Sequence, residues 1–287
     1  MLGWMTGLLA TPVFIPLAVH GYRKGLWLVL VSLTIAGAGA LLIQQGEIFI
    51  FSLTMVPLGV TLYNSVRIGD SPVKSGVKGL IALAMTWVLF WTAYGTLAGA
   101  SPYNMLLKTL NLGLEQAVEL SMSNEAELSP DMALRLKEAT STIREAIPRV
   151  LPGLLMMIVV FTVWLNMVLI NSLNGRLTKT APWGHYTTWR LPEYLVWVLI
   201  GASIAMLFGT GWLQNAGGWL VMIASLLYSF QGLAVLIALF ERWRVPPFIQ
   251  IVLYVVVFLQ TYGMLLLAVL GLIDVWYDFR KTKETNA

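Results

Sequence analysis

Amide side chains within long apolar runs are the residues of this sequence that could bind a small ligand. Asn166, Gln231 and Gln260 each lie in a different apolar run. A polar group in hydrocarbon costs free energy unless it finds a partner, so such residues normally face the interior of a helix bundle. Two interpretations stay open. The amides form hydrogen bonds between helices, worth about 0.6 kcal/mol each on average, or they converge on one ligand site near the middle of the membrane.

A charged group near the C-terminus is the second candidate site. Asp274 and Asp278 are four residues apart and therefore share a helical face, and Arg280 is close enough to neutralise them. One interpretation is a charged helix end at the membrane boundary. The other is a cytoplasmic docking site for a partner, in which Asp274 pairs with a basic loop such as 242–244.

The sequence gives little support for a catalytic site or a metal site. The chain has no cysteine and only two histidines, His20 and His185. Two isolated histidines without cysteine make a poor transition-metal site. The sequence contains neither a glycine-rich phosphate loop with its lysine nor a histidine–glutamate metalloprotease helix. We therefore expect no enzymatic activity and no cofactor.

Composition identifies an integral membrane protein. Hydrophobic residues make up 58% of the chain and charged residues 11%, with a mean hydropathy of +0.77. A soluble domain would carry about 25% charged residues. The net charge of +4 is spread over short loops, so the lipid bilayer is the expected partner and nucleic acid is not.

Apolar runs along the chain predict an all-α polytopic membrane helix bundle with about eight transmembrane helices, since a crossing helix needs about 20 apolar residues. The predicted spans are residues 1–20, 26–43, 48–63, 79–98, 150–173, 193–213, 219–240 and 248–273. Whether the short first run crosses fully stays open. In the sixth run, Gly201, Ala205 and Gly209 are four residues apart, which predicts close contact with a neighbouring helix.

A polar stretch, Ser101–Arg149, separates the membrane blocks 1–100 and 150–287. Apolar residues recur in it at spacings of three and four, as expected for two amphipathic helices. Pro148 should end the second of them. We predict an external amphipathic hairpin, 101–149, that lies on the membrane surface or caps the bundle. The alternatives are a lid over a cavity and a docking face for a partner.

Basic residues fall in every second loop, which predicts a cytoplasmic side for these loops. They are Arg23 and Lys24, then Arg67, Lys74 and Lys78, then Arg176, Lys179 and Arg190, and then Arg242 and Arg244. Eight full crossings would leave the basic C-terminus outside. A bend at Gly263 within the last run would return it to the cytoplasm, so the side of the tail stays open.

Three short stretches carry a resemblance to a known family. They are 189–192 (WRLP), 230–235 (FQGLAV) and 271–274 (GLID), the last leading to Trp276, Asp278, Phe279 and Arg280. In these stretches the C-terminal half resembles the YybS-like family of bacterial integral membrane proteins, for which no activity is established. The resemblance implies a bacterial cell (inner) membrane. At the level of fold, the family is similar to the substrate-binding membrane subunits of energy-coupling-factor vitamin transporters.

Two functions are compatible with these observations. A small-molecule-binding, transport-type subunit that relies on an energising partner is favoured by the buried amides, the missing nucleotide motif and the resemblance. A structural or assembly protein of the bacterial cell membrane is favoured by the large hairpin and by the lack of a charged site at mid-membrane. A polar-lined cavity between the helices would support the first function, and a solid core would support the second.

Overall fold

The computed structural model describes residues 7–124, 130–260, 262–277 and 279–280, and the regular elements in these ranges are helices. The N-terminal part contains α1 (Ala10–Leu42), α2 (Gly46–Ser52), α3 (Val56–Ile68) and α4 (Pro72–Ala98). The central part contains α5 (Pro102–Asn124) and α6 (Pro130–Thr178). The C-terminal part contains α7 (Leu195–Phe208), α8 (Trp212–Arg242), α9 (Pro247–Leu259) and α10 (Gly263–Tyr277).

Five helical stretches of the described residues are long and apolar enough to cross a membrane: α1, α2 with α3, α4, α6 and α8. A sixth is added if α9 and α10, bent by 107°, count as one span. This confirms the predicted helical membrane bundle. The count is below eight because two predicted spans fall in α1, and because α7 has only 14 residues. Its length of about 21 Å is shorter than a hydrocarbon core of about 30 Å.

α1 folds back on itself at Gly21. The backbone there has φ 78° and ψ 169°, a conformation that glycine adopts without steric cost. A Cβ atom on Gly25 would lie 2.5 Å from Cα of Leu17, whereas a straight helix would separate these positions by about 12 Å. The two arms of α1, residues 10–20 and 22–42, therefore correspond to the first two predicted apolar runs.

α6 continues through the position of a predicted helix break. It contains both Pro148 and Pro152, so the prediction that Pro148 ends a separate amphipathic helix is wrong. Pro152 has no N–H to donate to the carbonyl four residues earlier, which is that of Pro148. The hydroxyl of Tyr103 in α5 donates to this carbonyl at 3.2 Å. The predicted boundary between residues 149 and 150 thus lies within one continuous helix.

α5 lies alongside the first part of α6. Besides the bond from Tyr103, Nη2 of Arg144 lies 2.5 Å from Oε1 of Glu115. Both side chains are about half exposed, and such a pair contributes at most about 1 kcal/mol. The described side chains of α5 are half-buried or exposed throughout. These two helical stretches therefore rely on few contacts.

α6 is the central helix of the bundle. On one side it shares a core with α1, α3 and α4 that includes Phe14, Leu58, Leu83, Val163 and Ile170. On the other side it packs against α8: Gly153 lies next to Trp219, and the ring of Trp164 stacks on Phe230 at 4.1 Å. Since both pairs follow the same order along the chain, α6 and α8 run parallel.

α7 contacts α8 through a different face from the predicted one. A Cβ atom on Gly201 would meet nothing within 4 Å, whereas one on Gly217 of α8 would lie 2.7 Å from the carbonyl oxygen of Ala202. Ala202 is buried and Gly201 is exposed. The predicted packing face is therefore wrong for Gly201, whose neighbour Ala202 makes the contact, whereas Ala205 does lie beside Gly217. Gly209 caps the helix end.

Candidate functional site

The segment that connects α6 to α7, residues 179–194, folds back into the bundle. α6 extends 14 residues beyond Trp164 to its end at Thr178, a distance of about 21 Å. Nevertheless, Nε1 of Trp164 donates to the hydroxyl of Tyr186 at 3.2 Å. The chain therefore returns along α6, where the sequence predicted an ordinary loop. We call residues 179–194 the re-entrant segment.

Side chains of α6 and α4 anchor the start of the re-entrant segment. Asn171 donates to the carbonyl of Gly184 at 2.7 Å and accepts from the backbone N–H of Trp183 at 3.0 Å. The indole N–H of Trp183 donates to the hydroxyl of Ser75 at 2.9 Å. Its ring lies in the core beside Phe14. An irregular chain inside a membrane protein needs such partners for its backbone.

The turn between α3 and α4 supports the Ser75 anchor with a charged network. The hydroxyl of Ser65 lies 3.0 Å from that of Ser75 and 2.5 Å from Oδ2 of Asp70, to which Lys78 also donates. The pKa of Asp70 lies below its ordinary value. The hydrogen bond from Lys78 is the largest cause, and the hydrogen bond from Ser65 is the second. A carboxylate that stays charged keeps both donors in place.

Gln231 of α8 and Arg280 hold the end of the re-entrant segment. Oε1 of Gln231 accepts from the backbone N–H of Leu191 at 3.0 Å. Nη1 of Arg280 donates to the carbonyls of Thr187 and Trp189, both at 2.7 Å. These bonds satisfy backbone groups that no helix satisfies, so the two side chains fix the path of the segment.

Asp274 of α10 joins these two side chains. Its Oδ2 accepts from Nε2 of Gln231 at 3.0 Å and from Nη2 of Arg280 at 2.5 Å. The side chains of Asp274 and Arg280 are only 1% and 6% exposed. We call Gln231, Asp274 and Arg280 the buried cluster. The role of Asp274 and Arg280 in docking a partner stays a prediction, and Asp278 lies outside the described residues.

The other two predicted amides lie apart from Gln231. Asn166 is fully buried and accepts from the N–H and hydroxyl of Thr11, at 3.1 and 3.0 Å, while it donates to the carbonyl of Gly7 at 2.7 Å. Gln260 is exposed at the C-terminal end of α9. The structure does not bring the three amides together: Asn166 ties α6 to the start of α1, and Gln231 alone among them lines a cavity.

That cavity, of about 210 Å³, lies between the re-entrant segment, α4, α6 and α8. Much of its inner wall is aromatic, and the remainder is mostly aliphatic. The aromatic residues are Trp164, Tyr186, Trp189, Tyr194 and Phe230, and the charged residue Arg190 also lines the cavity. The re-entrant segment supplies three of these five rings, so the buried cluster that holds the segment also sets the shape of the cavity.

Four polar side chains of the inner wall are hydrogen-bonded to other parts of the protein. The hydroxyl of Tyr186 accepts from Trp164 and donates to the carbonyl of Phe230 at 2.7 Å. The indole N–H of Trp189 donates to a backbone carbonyl at 3.1 Å, and Gln231 is bonded at both ends. A molecule in this cavity would therefore be held mainly by apolar and ring contacts.

The sequence interpretation missed the aromatic residues of the re-entrant segment. Trp183, Tyr186 and Trp189 recur every three residues between the charged residues Lys179 and Arg190. Large aromatic side chains carry much apolar surface that folding tends to bury. Their density was the available signal, although it predicts burial and not the position in the bundle. Among the residues that the structure describes, no group of three or more potential metal ligands could hold an ion.

A family model described as a predicted membrane protein (DUF2232) matches residues 1–275. No curated protein and no solved structure matches the chain. The matched range includes the whole re-entrant segment, Gln231 and Asp274, and it ends before Arg280.

Proposed function

This chain belongs to the DUF2232 family of predicted membrane proteins, and we propose that it binds a small molecule inside the bilayer as a transport-type subunit without its own ATPase. The observation that carries the proposal is the aromatic cavity of about 210 Å³, whose wall the buried cluster holds in place. An apolar cavity of about 150 Å³ already admits benzene. A separate partner would supply the energy, since the sequence contains no phosphate-binding loop.

A broken crossing supports a transport-type role. The re-entrant segment and α7 follow one another through the bundle, the first as irregular chain and the second as a helix of 14 residues. Irregular backbone at membrane depth is tolerated where it is buried in protein or lines a cavity. Transporters place substrate sites at such interruptions, near the middle of the membrane.

We also propose a number of membrane crossings, a side for the central helices, a cellular location and distant relatives for this chain. The two arms of α1 and the broken crossing would bring the number of crossings to about eight. The proposal also includes an external position for α5 with the first part of α6, and a bacterial inner membrane as the location. It further includes the resemblance to YybS-like proteins and, at the level of fold, to energy-coupling-factor substrate-binding subunits.

Filling the cavity should remove the bound molecule. Gly76 lines the cavity, and a Cβ atom there would meet only the sulfur of Met167, at 3.6 Å. In Gly76→Leu the added side chain competes with the ligand for space. Overpacking costs about 1–3 kcal/mol, so we expect about a fivefold or greater loss of the molecule that co-purifies in mild detergent, measured by mass spectrometry.

The matched control is Gly39→Leu. Gly39 also lies within a helix, α1, and a Cβ atom there would meet nothing within 4 Å. This variant should retain the wild-type amount of the molecule. Equal amounts in both variants, or a wild-type protein that carries no molecule, would contradict the proposal.

An assembly protein is the second candidate function. It is favoured by the exposed apolar side chains of α5, among them Leu110 at 39% and Leu112 at 48% exposure. In this case the same purification would recover a stoichiometric protein partner, and Leu112→Glu would release it. Retention of a small molecule by Leu112→Glu but not by Gly76→Leu would favour the first function.

A further inference from the structure

We infer that the occupant of the cavity is a hydrocarbon chain that enters sideways from the bilayer, between α4 and α7. The inference rests on the proposed function, because it assigns a chemical class to the molecule that the cavity binds. Three observations carry it: the exposed residues at the edge of the cavity, the faces on which they lie, and the bonding state of the inner wall.

The edge of the cavity is open at Val77 of α4 and at Tyr194, which directly precedes α7. Both residues line the cavity, and they are 49% and 66% exposed. Deeper residues of the same cavity, such as Val163 and Ala234, are at most 2% exposed. The cavity therefore reaches from the interior of the bundle to its surface at these two positions.

Val77 belongs to an exposed apolar face of α4. This face consists of Val77, Ile81, Met85 and Val88. Their spacing of four, four and three residues places them on one side of the helix. In a crossing helix, an exposed face of this kind contacts lipid chains, since an unpaired polar group is too costly there.

Tyr194 begins a similar face on α7. This face contains Tyr194, Trp197, Ile204 and Phe208, each at least 55% exposed. The opening of the cavity thus continues two exposed apolar faces, and it lies at the end of α4 that also carries Lys74 and Lys78. A hydrocarbon chain reaches it along these faces.

The bonding state of the inner wall selects an apolar occupant. Tyr186, Trp189 and Gln231 already use hydrogen-bonding groups within the protein. A polar molecule would give up its water for few new partners, at a cost of roughly 1–3 kcal/mol per unpaired group. A hydrocarbon chain loses no hydrogen bonds on entry and gains contact with the aromatic rings of the wall.

Photo-crosslinking in vesicles tests the inference. The full-length protein is reconstituted in dioleoylphosphatidylcholine with a fatty acid that carries a diazirine on its chain, irradiated, and mapped by peptide mass spectrometry. We expect crosslinks on Phe230 and Ala234 that excess oleic acid abolishes. Crosslinks on lipid-facing residues such as Met85 should persist, because contacts with bulk lipid do not saturate.

Blocking the opening supplies the matched pair of variants. Val77→Trp should slow or abolish crosslinking of Phe230 and Ala234, whereas Val88→Trp, on the same face but away from the cavity, should not. Crosslinks to Met85 without any in the cavity would overturn the inference. If a molecule still co-purifies with the wild type and not with Gly76→Leu in that case, the proposed function stands and the ligand belongs to another class.

Discussion

Arg280→Met is expected to be one of the most destabilising single substitutions in this protein. It leaves the carboxylate of Asp274, which is 1% exposed, without its cation, and it leaves the carbonyls of Thr187 and Trp189 without their donor. Removal of one partner from a buried ion pair typically costs about 3–5 kcal/mol, because the remaining charge is uncompensated. The measurement is the thermal unfolding midpoint in mild detergent, together with the folded yield.

The same substitution at an exposed ion pair is the control. Arg135 bonds to Asp131 four residues earlier in α6, and these two side chains are 78% and 76% exposed. Arg135→Met should change stability by less than about 0.5 kcal/mol. In the double variant Asp274→Leu/Arg280→Met, part of the loss should be recovered, since no buried charge remains. Equal unfolding midpoints for Arg280→Met and Arg135→Met would contradict the assignment of a buried pair.

Gly271→Ala is the second substitution for which we expect a large effect, although it adds only one methyl group. α10 crosses α8 so closely that a Cβ atom on Gly271 would lie 2.0 Å from the carbonyl oxygen of Tyr228. The reciprocal position, Gly232, would place its Cβ atom 1.9 Å from the carbonyl oxygen of Leu267. Backbone atoms cannot move aside as a flexible side chain does, so the helices must separate, at about 1–3 kcal/mol.

Gly201→Ala should not destabilise the protein. Gly201 also lies within an apolar helix, but its Cβ atom would meet nothing within 4 Å. Alanine is a better helix former than glycine by up to about 1 kcal/mol, so this variant should be neutral or slightly more stable. Thermal unfolding of both variants separates the two cases. If the Gly271→Ala protein is as stable as the Gly201→Ala protein, the two helices α8 and α10 are farther apart at Gly271 than in this structure.

Composition and hydropathy were sufficient to predict the helical membrane bundle and the burial of Asn166 and Gln231. They could not predict that these amides have separate partners, because a single sequence does not show how each helix is rotated about its axis. The same limit explains the error at Gly201, where the true contact residue is its neighbour Ala202. Gln260 is exposed because the last run bends beside it.

Local rules also failed where distant residues compensate. Proline normally ends a helix, but Tyr103, 45 residues earlier, donates to the carbonyl of Pro148, which Pro152 leaves without a helical donor. Likewise, the charges that predicted an ordinary loop after α6 flank a segment whose backbone partners are the side chains of Asn171, Gln231 and Arg280. Asp274 and Arg280 were expected to neutralise each other, and they do so as a pair that is buried in the protein.

The re-entrant segment has a consequence for the order of assembly during translation. Its partners Ser75 and Asn171 precede it in the chain, whereas Gln231 and Arg280 are synthesised afterwards. When the ribosome releases residues 179–194, half of their anchors do not yet exist, so docking of the segment is a late step that waits for the C-terminus. Because the native chain has no cysteine, a single cysteine at Thr187 reports this step. It should react with maleimide in a chain that stops at residue 259 and be protected in the full-length protein.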